Sequence, residues 1–114
     1  MHSRDISHLS AICDAAEKIL RYTIAIQNPE QLYLDEKTLD AVLMNFVVIG
    51  ESASKLNESL TSENPEIPWK SIKRFRNIIA HDYFGVDPEA VWQIIANHLP
   101  LLVTNVRRIL DEEE

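Results

Sequence analysis

The chain has 114 residues, 46% hydrophobic and 25% charged, which is enough for one buried core and too little for two domains of ordinary size. Its single cysteine, Cys13, excludes an internal disulfide and a cysteine-based zinc site. With only 2 glycines and no apolar run of the roughly 20 residues that a bilayer demands, strand-and-turn folds and membrane spans are both disfavoured, and a soluble protein of a reducing compartment, the cytoplasm, is expected.

From Ser3, read as an N-cap, apolar positions at Ile6, Leu9, Cys13, Ala16 and Leu20 recur with helical spacing and predict a long first helix ending near Asn28 and Pro29. A polar connector through Asp35 leads to a second helix carrying Leu39, Val42, Leu43, Phe46, Val47, Ile49, Ala53 and Leu56, stopped before Pro65. This helix is apolar around much of its circumference, so it is expected to be central. Gly50 interrupts it at a cost of about 1 kcal/mol relative to alanine, which is read as close approach of another helix. Glu51 either pairs with an arginine across the bundle or lines a site.

Pro68 suits a first turn, and Trp69, Ile72, Phe75, Ile79 and Tyr83 continue a third helix to Gly85. Asp87 and Pro88 then read as an N-cap and first helical residue for a fourth helix with Val91, Trp92, Ile94, Ile95 and Leu99. Pro100 removes a backbone hydrogen bond and clashes with the carbonyl of Ala96, so the helix should kink or split there, leaving a fifth segment over residues 101–110. The pattern predicts an all-α fold, an antiparallel up-and-down bundle of four to five helices. It forms one domain over residues 1–110, followed by an acidic tail at 111–114 that is expected to be frayed and solvated.

The formal net charge of −7 opposes a polyanionic partner, but its distribution is uneven. Asp111, Glu112, Glu113 and Glu114 supply much of the negative excess, while Lys70, Lys73, Arg74 and Arg76 place four of the 11 basic residues within seven positions. On charge alone, a solvated helix face explains Lys70, Lys73 and Arg74 better than a nucleic-acid groove does. What they lead into is more specific. Residues 76–84, RNIIAHDYF, crowd an Arg, an Asn, a His and a Tyr into an amphipathic helix. Together such groups bind a phosphate, move a proton and offer a nucleophilic or modifiable hydroxyl. On a continuous helix Asn77 and His81 share a face, and Tyr83, seven residues after Arg76, shares the adjoining one. His2, His8 and His98 form no metal-ligand pattern, and neither a metal nor a cofactor is expected.

The order of these residues resembles the HEPN superfamily, specifically its HepT-like toxin branch. Arg76, four intervening residues, His81, one residue and Tyr83 match the signature. FVVIGESASKL at 46–56, IPW at 67–69 and VDPEAVW at 86–92 fall in the order and spacing of that branch, so the resemblance spans about half of the chain. It implies a metal-independent ribonuclease toxin with Arg76 and His81 as catalytic residues. It also implies a cognate minimal nucleotidyltransferase antitoxin that silences the toxin by adding AMP to Tyr83. Metal-free cleavage of RNA uses the adjacent 2′-hydroxyl and needs a base, an acid and a cation for the phosphorane. One chain offers a single well-placed histidine, which favours a homodimer joining two copies of His81 and Arg76 across a two-fold axis, with Asn77 in support. Two other readings stay open: a non-catalytic helical partner and modification substrate of a nucleotidyltransferase, and a structural module whose motif only packs a dimer.

Overall fold

The computed structural model describes residues 1–112, which form seven α-helices and no strand. They are α1 (Ser3–Tyr22), α2 (Pro29–Leu34), α3 (Glu36–Ser54), α4 (Glu58–Glu63), α5 (Trp69–His81), α6 (Pro88–Asn97) and α7 (Leu99–Asp111), with a 3-10 turn at Tyr83–Gly85 between α5 and α6. None of these helices is long and apolar enough to cross a membrane. The all-α bundle expected from the sequence is present, with five longer helices and two short ones.

Helix α3 is central, as its wide apolar surface predicts. Val42, Leu43, Phe46, Ile49 and Ala53 are buried, and the helix packs against α1 on one side and α5 on the other. Helix α7 returns onto α1, where Leu9, Ile12, Ala16 and Ile19 meet a core that includes Leu102, Val106 and Ile109. Helix α6 packs on α2 and α7.

Local chemistry sets the helix ends, and it corrects the sequence reading in several places. Helix α1 stops at Tyr22 rather than near Asn28, and Thr23 covers the end by donating its hydroxyl to the Ile19 carbonyl at 2.8 Å. Ser3 is the first helical residue, and His2 occupies the cap position without a side-chain bond. The polar connector contains a helix of its own, α2, because Asn28 accepts from the Gln31 N–H at 2.9 Å and Pro29 starts the turn. Asp35 caps α3 through the N–H (3.2 Å) and hydroxyl (2.7 Å) of Thr38, bonds that hold its carboxyl below the usual carboxylate range.

The short α4 is tied to the start of α1 by the buried Asp5, which accepts from the Asn57 N–H at 3.1 Å and from Asn57 Nδ2 at 2.8 Å. Burial alone would push the Asp5 carboxyl up, but these hydrogen bonds bring it out below its ordinary value. At the other end, Asp87 caps α6 as expected, accepting from the Glu89 N–H at 3.0 Å. Pro100 splits the last helix rather than bending it: α6 ends at Asn97, His98 intervenes, and Pro100 lies in the first turn of α7. Of the acidic tail expected at 111–114, the described residues include the first two. Asp111 closes α7, and Glu112 follows with its carboxylate 3.2 Å from Arg108 Nη1. Glu113 and Glu114 lie outside the described residues.

Candidate active site

Helix α5 buries Trp69 and Ile79, and Phe75 meets Phe46 of α3 edge-on with ring centroids 5.1 Å apart. The opposite side of the helix is open. Lys70, Arg74, Asn77 and His81, spaced four, three and four residues apart, form one exposed stripe along it. The expected grouping of Asn77 with His81 is therefore present, and two of the three basic residues preceding them share that stripe. Lys73 stands off the stripe, half-buried, and lines a surface depression with Lys70, Trp69 and residues of α4. The His81 imidazole has no hydrogen-bond or ion-pair partner among the described residues.

Arg76 is rotated off the stripe toward α3, and its side chain is only 18% exposed. The approach is close because α3 presents a glycine there. A β-carbon on Gly50 would lie 2.7 Å from Arg76 Cγ and nearer still to Arg76 Cβ. The guanidinium is then fixed from two sides, with Nη1 donating to Glu51 Oε1 at 2.5 Å and Nε donating to Asn77 Oδ1 at 2.8 Å. Of the alternatives for Glu51, the structure gives the ion pair with an arginine. Two of the five guanidinium N–H donors are used in these bonds, and both hydrogens on Nη2 are left for a further acceptor.

Tyr83 does not share a helical face with Arg76. Helix α5 ends at His81, four residues before the expected stop at Gly85, because Asp82 leaves helical geometry at φ −148° and ψ 66°. The chain then tightens into the 3-10 turn, where the Asp82 carboxylate occupies the space a β-carbon on Gly85 would need, with Cγ only 2.5 Å away from it. The turn carries half-buried Tyr83 back to α3, where its hydroxyl donates to Asp40 Oδ1. Burial, followed by that hydrogen bond and the negative charge of Asp40, pushes the Tyr83 hydroxyl up to about 12.

Asp40 is a site residue that the sequence reading missed. It lies 43 residues from Tyr83, and the one signal available was its spacing of eleven from Glu51, which puts both acids on the same stripe of α3. Met44 (62% exposed) and Val48 (36%) lie near that stripe, and Ile78 (48%) and Phe84 (97%) add apolar surface from the α5 side. Among the described residues, no group of three or more His, Cys, Asp or Glu side chains is placed to hold a metal ion.

A family model described as "Ribonuclease HepT-like" matches residues 12–109, a span that contains the whole of this site. The chain belongs to the HepT-like ribonuclease family. Individual relatives agree across most of the length of both partners. A protein of Thermococcus cleftensis named "Probable ribonuclease HepT" is 34% identical over 95 residues, covering 83% of this chain and 86% of the relative. Two proteins of Methanocaldococcus jannaschii that carry RNase in their names are similar as well. One is 33% identical over 85 residues (75% of this chain, 70% of the relative), and the other is 30% identical over 108 residues (93% and 97%). No solved structure matches the chain. Within the matched span, Arg76 and His81 lie on one continuous helix and Tyr83 lies just beyond its end.

Proposed function

We propose that this HepT-like chain is the metal-independent endoribonuclease toxin of a toxin-antitoxin pair, acting as a homodimer in the cytoplasm. The observation that carries the reading is the pairing of an exposed His81 imidazole, unpartnered among the described residues, with a pinned Arg76 guanidinium on the same helix. In the proposed reaction the RNA 2′-oxygen attacks the adjacent phosphorus and the 5′-oxygen leaves, giving a 2′,3′-cyclic phosphate. One His81 takes the 2′-proton, and the His81 of a second copy returns a proton to the leaving oxygen. Arg76 meets the charge that builds on the phosphorane with Nη2, while Glu51 and Asn77 hold the fork in a fixed plane so that little reorganisation is needed. Lys70 and Arg74 extend the same exposed stripe and would follow the RNA backbone, with Lys73 beside them.

The two-fold arrangement is supported by the exposed apolar groups beside the motif, Met44, Val48, Ile78 and Phe84. Neutralisation is assigned to a minimal nucleotidyltransferase antitoxin that transfers AMP to Tyr83. The purified protein is expected to cleave RNA in the presence of a chelator and to leave cyclic phosphate ends. His81→Ala should lose at least about a hundredfold in rate while keeping its helical circular dichroism, and light scattering should report a dimer at micromolar concentration. Loss of cleavage on chelation, or full cleavage by His81→Ala, would remove the assignment.

A further inference from the structure

No sequence motif joins Asp40 to Tyr83, yet the fold brings them into a direct hydrogen bond between α3 and the 3-10 turn. Asp40 has no Lys, Arg or His partner among the described residues, so its bond to this hydroxyl faces no competing cation. Of the other titratable groups next to Tyr83 in the chain, Asp82 turns its carboxylate toward Gly85, and the exposed His81 ends α5 with no hydrogen bond to Tyr83 or Asp40 among the described residues.

We propose that Asp40 is the proton acceptor for Tyr83 when this tyrosine takes a nucleotidyl group from a nucleoside triphosphate held by the partner enzyme. The inference rests on the reading of Tyr83 as the modified residue and adds the group that makes it a nucleophile. In the step, a lone pair on the Tyr83 phenolic oxygen attacks the α-phosphorus. The bond from that phosphorus to the bridging oxygen of pyrophosphate breaks, pyrophosphate leaves with the electron pair, and the phenolic proton passes to the Asp40 carboxylate.

A neutral phenol attacks phosphorus poorly, so its proton must leave as the new bond forms. Prior ionisation is not an efficient route here. Burial and Asp40 together hold the hydroxyl at about 12, which makes free tyrosinate scarce at neutral pH. Transfer to a carboxylate already in hydrogen-bond contact avoids that intermediate, and the same bond sets the direction in which the oxygen lone pairs point.

The decisive variant is Asp40→Asn, because an amide oxygen still accepts the tyrosine hydrogen bond and anchors the turn but cannot take the proton. Wild type, Asp40→Asn, Asp40→Glu and Tyr83→Phe would each be incubated with the cognate minimal nucleotidyltransferase and magnesium-ATP, and intact mass followed over time between pH 6.5 and 9. Wild type should gain whole AMP units on the Tyr83 peptide at a rate that varies little with pH. Asp40→Asn should be slower by at least about a hundredfold at pH 7 and speed up about tenfold per pH unit, as only tyrosinate then reacts. Asp40→Glu should recover part of the loss, and Tyr83→Phe should gain nothing. Ultraviolet titration, with Tyr83→Phe subtracted, should show the Tyr83 midpoint moving down from about 12 toward that of an ordinary tyrosine in Asp40→Asn. Asp40→Asn modified at the wild-type rate with an unchanged pH profile would overturn the base role while leaving Tyr83 as the acceptor. A wild type that gains no mass, or gains it on Tyr22 or Tyr33, would overturn both readings.

Discussion

Replacing Gly50 by alanine tests whether the α3–α5 crossing holds Arg76 in place. In an exposed helix this change would stabilise, since alanine is favoured over glycine by about 1 kcal/mol. Here the new methyl would overlap Arg76 Cβ and lie 2.7 Å from Arg76 Cγ, atoms next to the α5 backbone that cannot swing aside as a side-chain tip can. The helices must separate by several tenths of an ångström or more. Overpacking of this kind costs about 1–3 kcal/mol, so after the propensity gain the net loss should be about 0–2 kcal/mol. At roughly 4–8 °C per kcal/mol for a small domain, the melting temperature should fall by up to about 16 °C. The effect on activity should be larger in proportion, because a displacement of about 1 Å of a positioned group can cost about a hundredfold in rate. Thermal melts followed by circular dichroism, together with RNA cleavage measured well below the melting range, give both numbers. A Gly50→Ala protein that melts higher than wild type and cleaves RNA normally would show that the two helices pass farther apart and that Arg76 does not depend on this contact.

Two further outcomes follow from the polar contacts. Asp5→Ala removes the acceptor of both Asn57 bonds from a site where Asp5 is 2% exposed, and it should cost about 1–3 kcal/mol in urea melts at neutral pH. The folded-state carboxyl lies below its ordinary value of 3.8, so the stabilisation is present above that pH and is lost as pH falls through the lower folded value. The gap between wild type and Asp5→Ala should therefore narrow in acid, and a gap that widens there would refute the account. Arg76→Lys keeps the charge but cannot serve Glu51, Asn77 and a phosphate from one planar fork, so kcat for RNA cleavage should fall by about a hundredfold, and unchanged kcat would show that a point charge suffices.

The long apolar periodicities of α1, α3 and α5 were legible because burial repeats on them every three or four residues, and the split at Pro100 was legible because proline chemistry is local. The short helices α2 and α4 were not, since six residues of mixed polarity carry no readable period and their formation depends on Asn28 and on the tertiary bonds from Asp5. In the site, Arg76, Asn77 and His81 could be read from spacing on one helix, and the choice for Glu51 needed only the fold to decide it. The end of α5 was misread because Gly85 looked like a natural stop while Asp82 had already left helical geometry. Asp40 was invisible for a related reason: its role depends on a turn whose path could not be drawn from the pattern.

That turn changes how modification of Tyr83 should silence the enzyme in the proposed function. On a continuous helix, Tyr83 would have stood over Arg76, and an added phosphate would have repelled RNA from the clamp directly. Instead the tyrosine hydroxyl is held at Asp40 and the guanidinium at Glu51, two anchors eleven residues apart on α3, or roughly 16 Å at 1.5 Å of rise per residue. That is about two screening lengths at physiological ionic strength, where the Debye length is about 8 Å, so a single phosphate at Tyr83 acts weakly on charge at Arg76. His81 is the nearer target, two residues before Tyr83 and exposed at the end of its helix. Neutralisation by this route works mainly through the bulk of the nucleotide beside His81, denying RNA its approach to the exposed imidazole. It should therefore persist at salt concentrations that abolish simple charge repulsion.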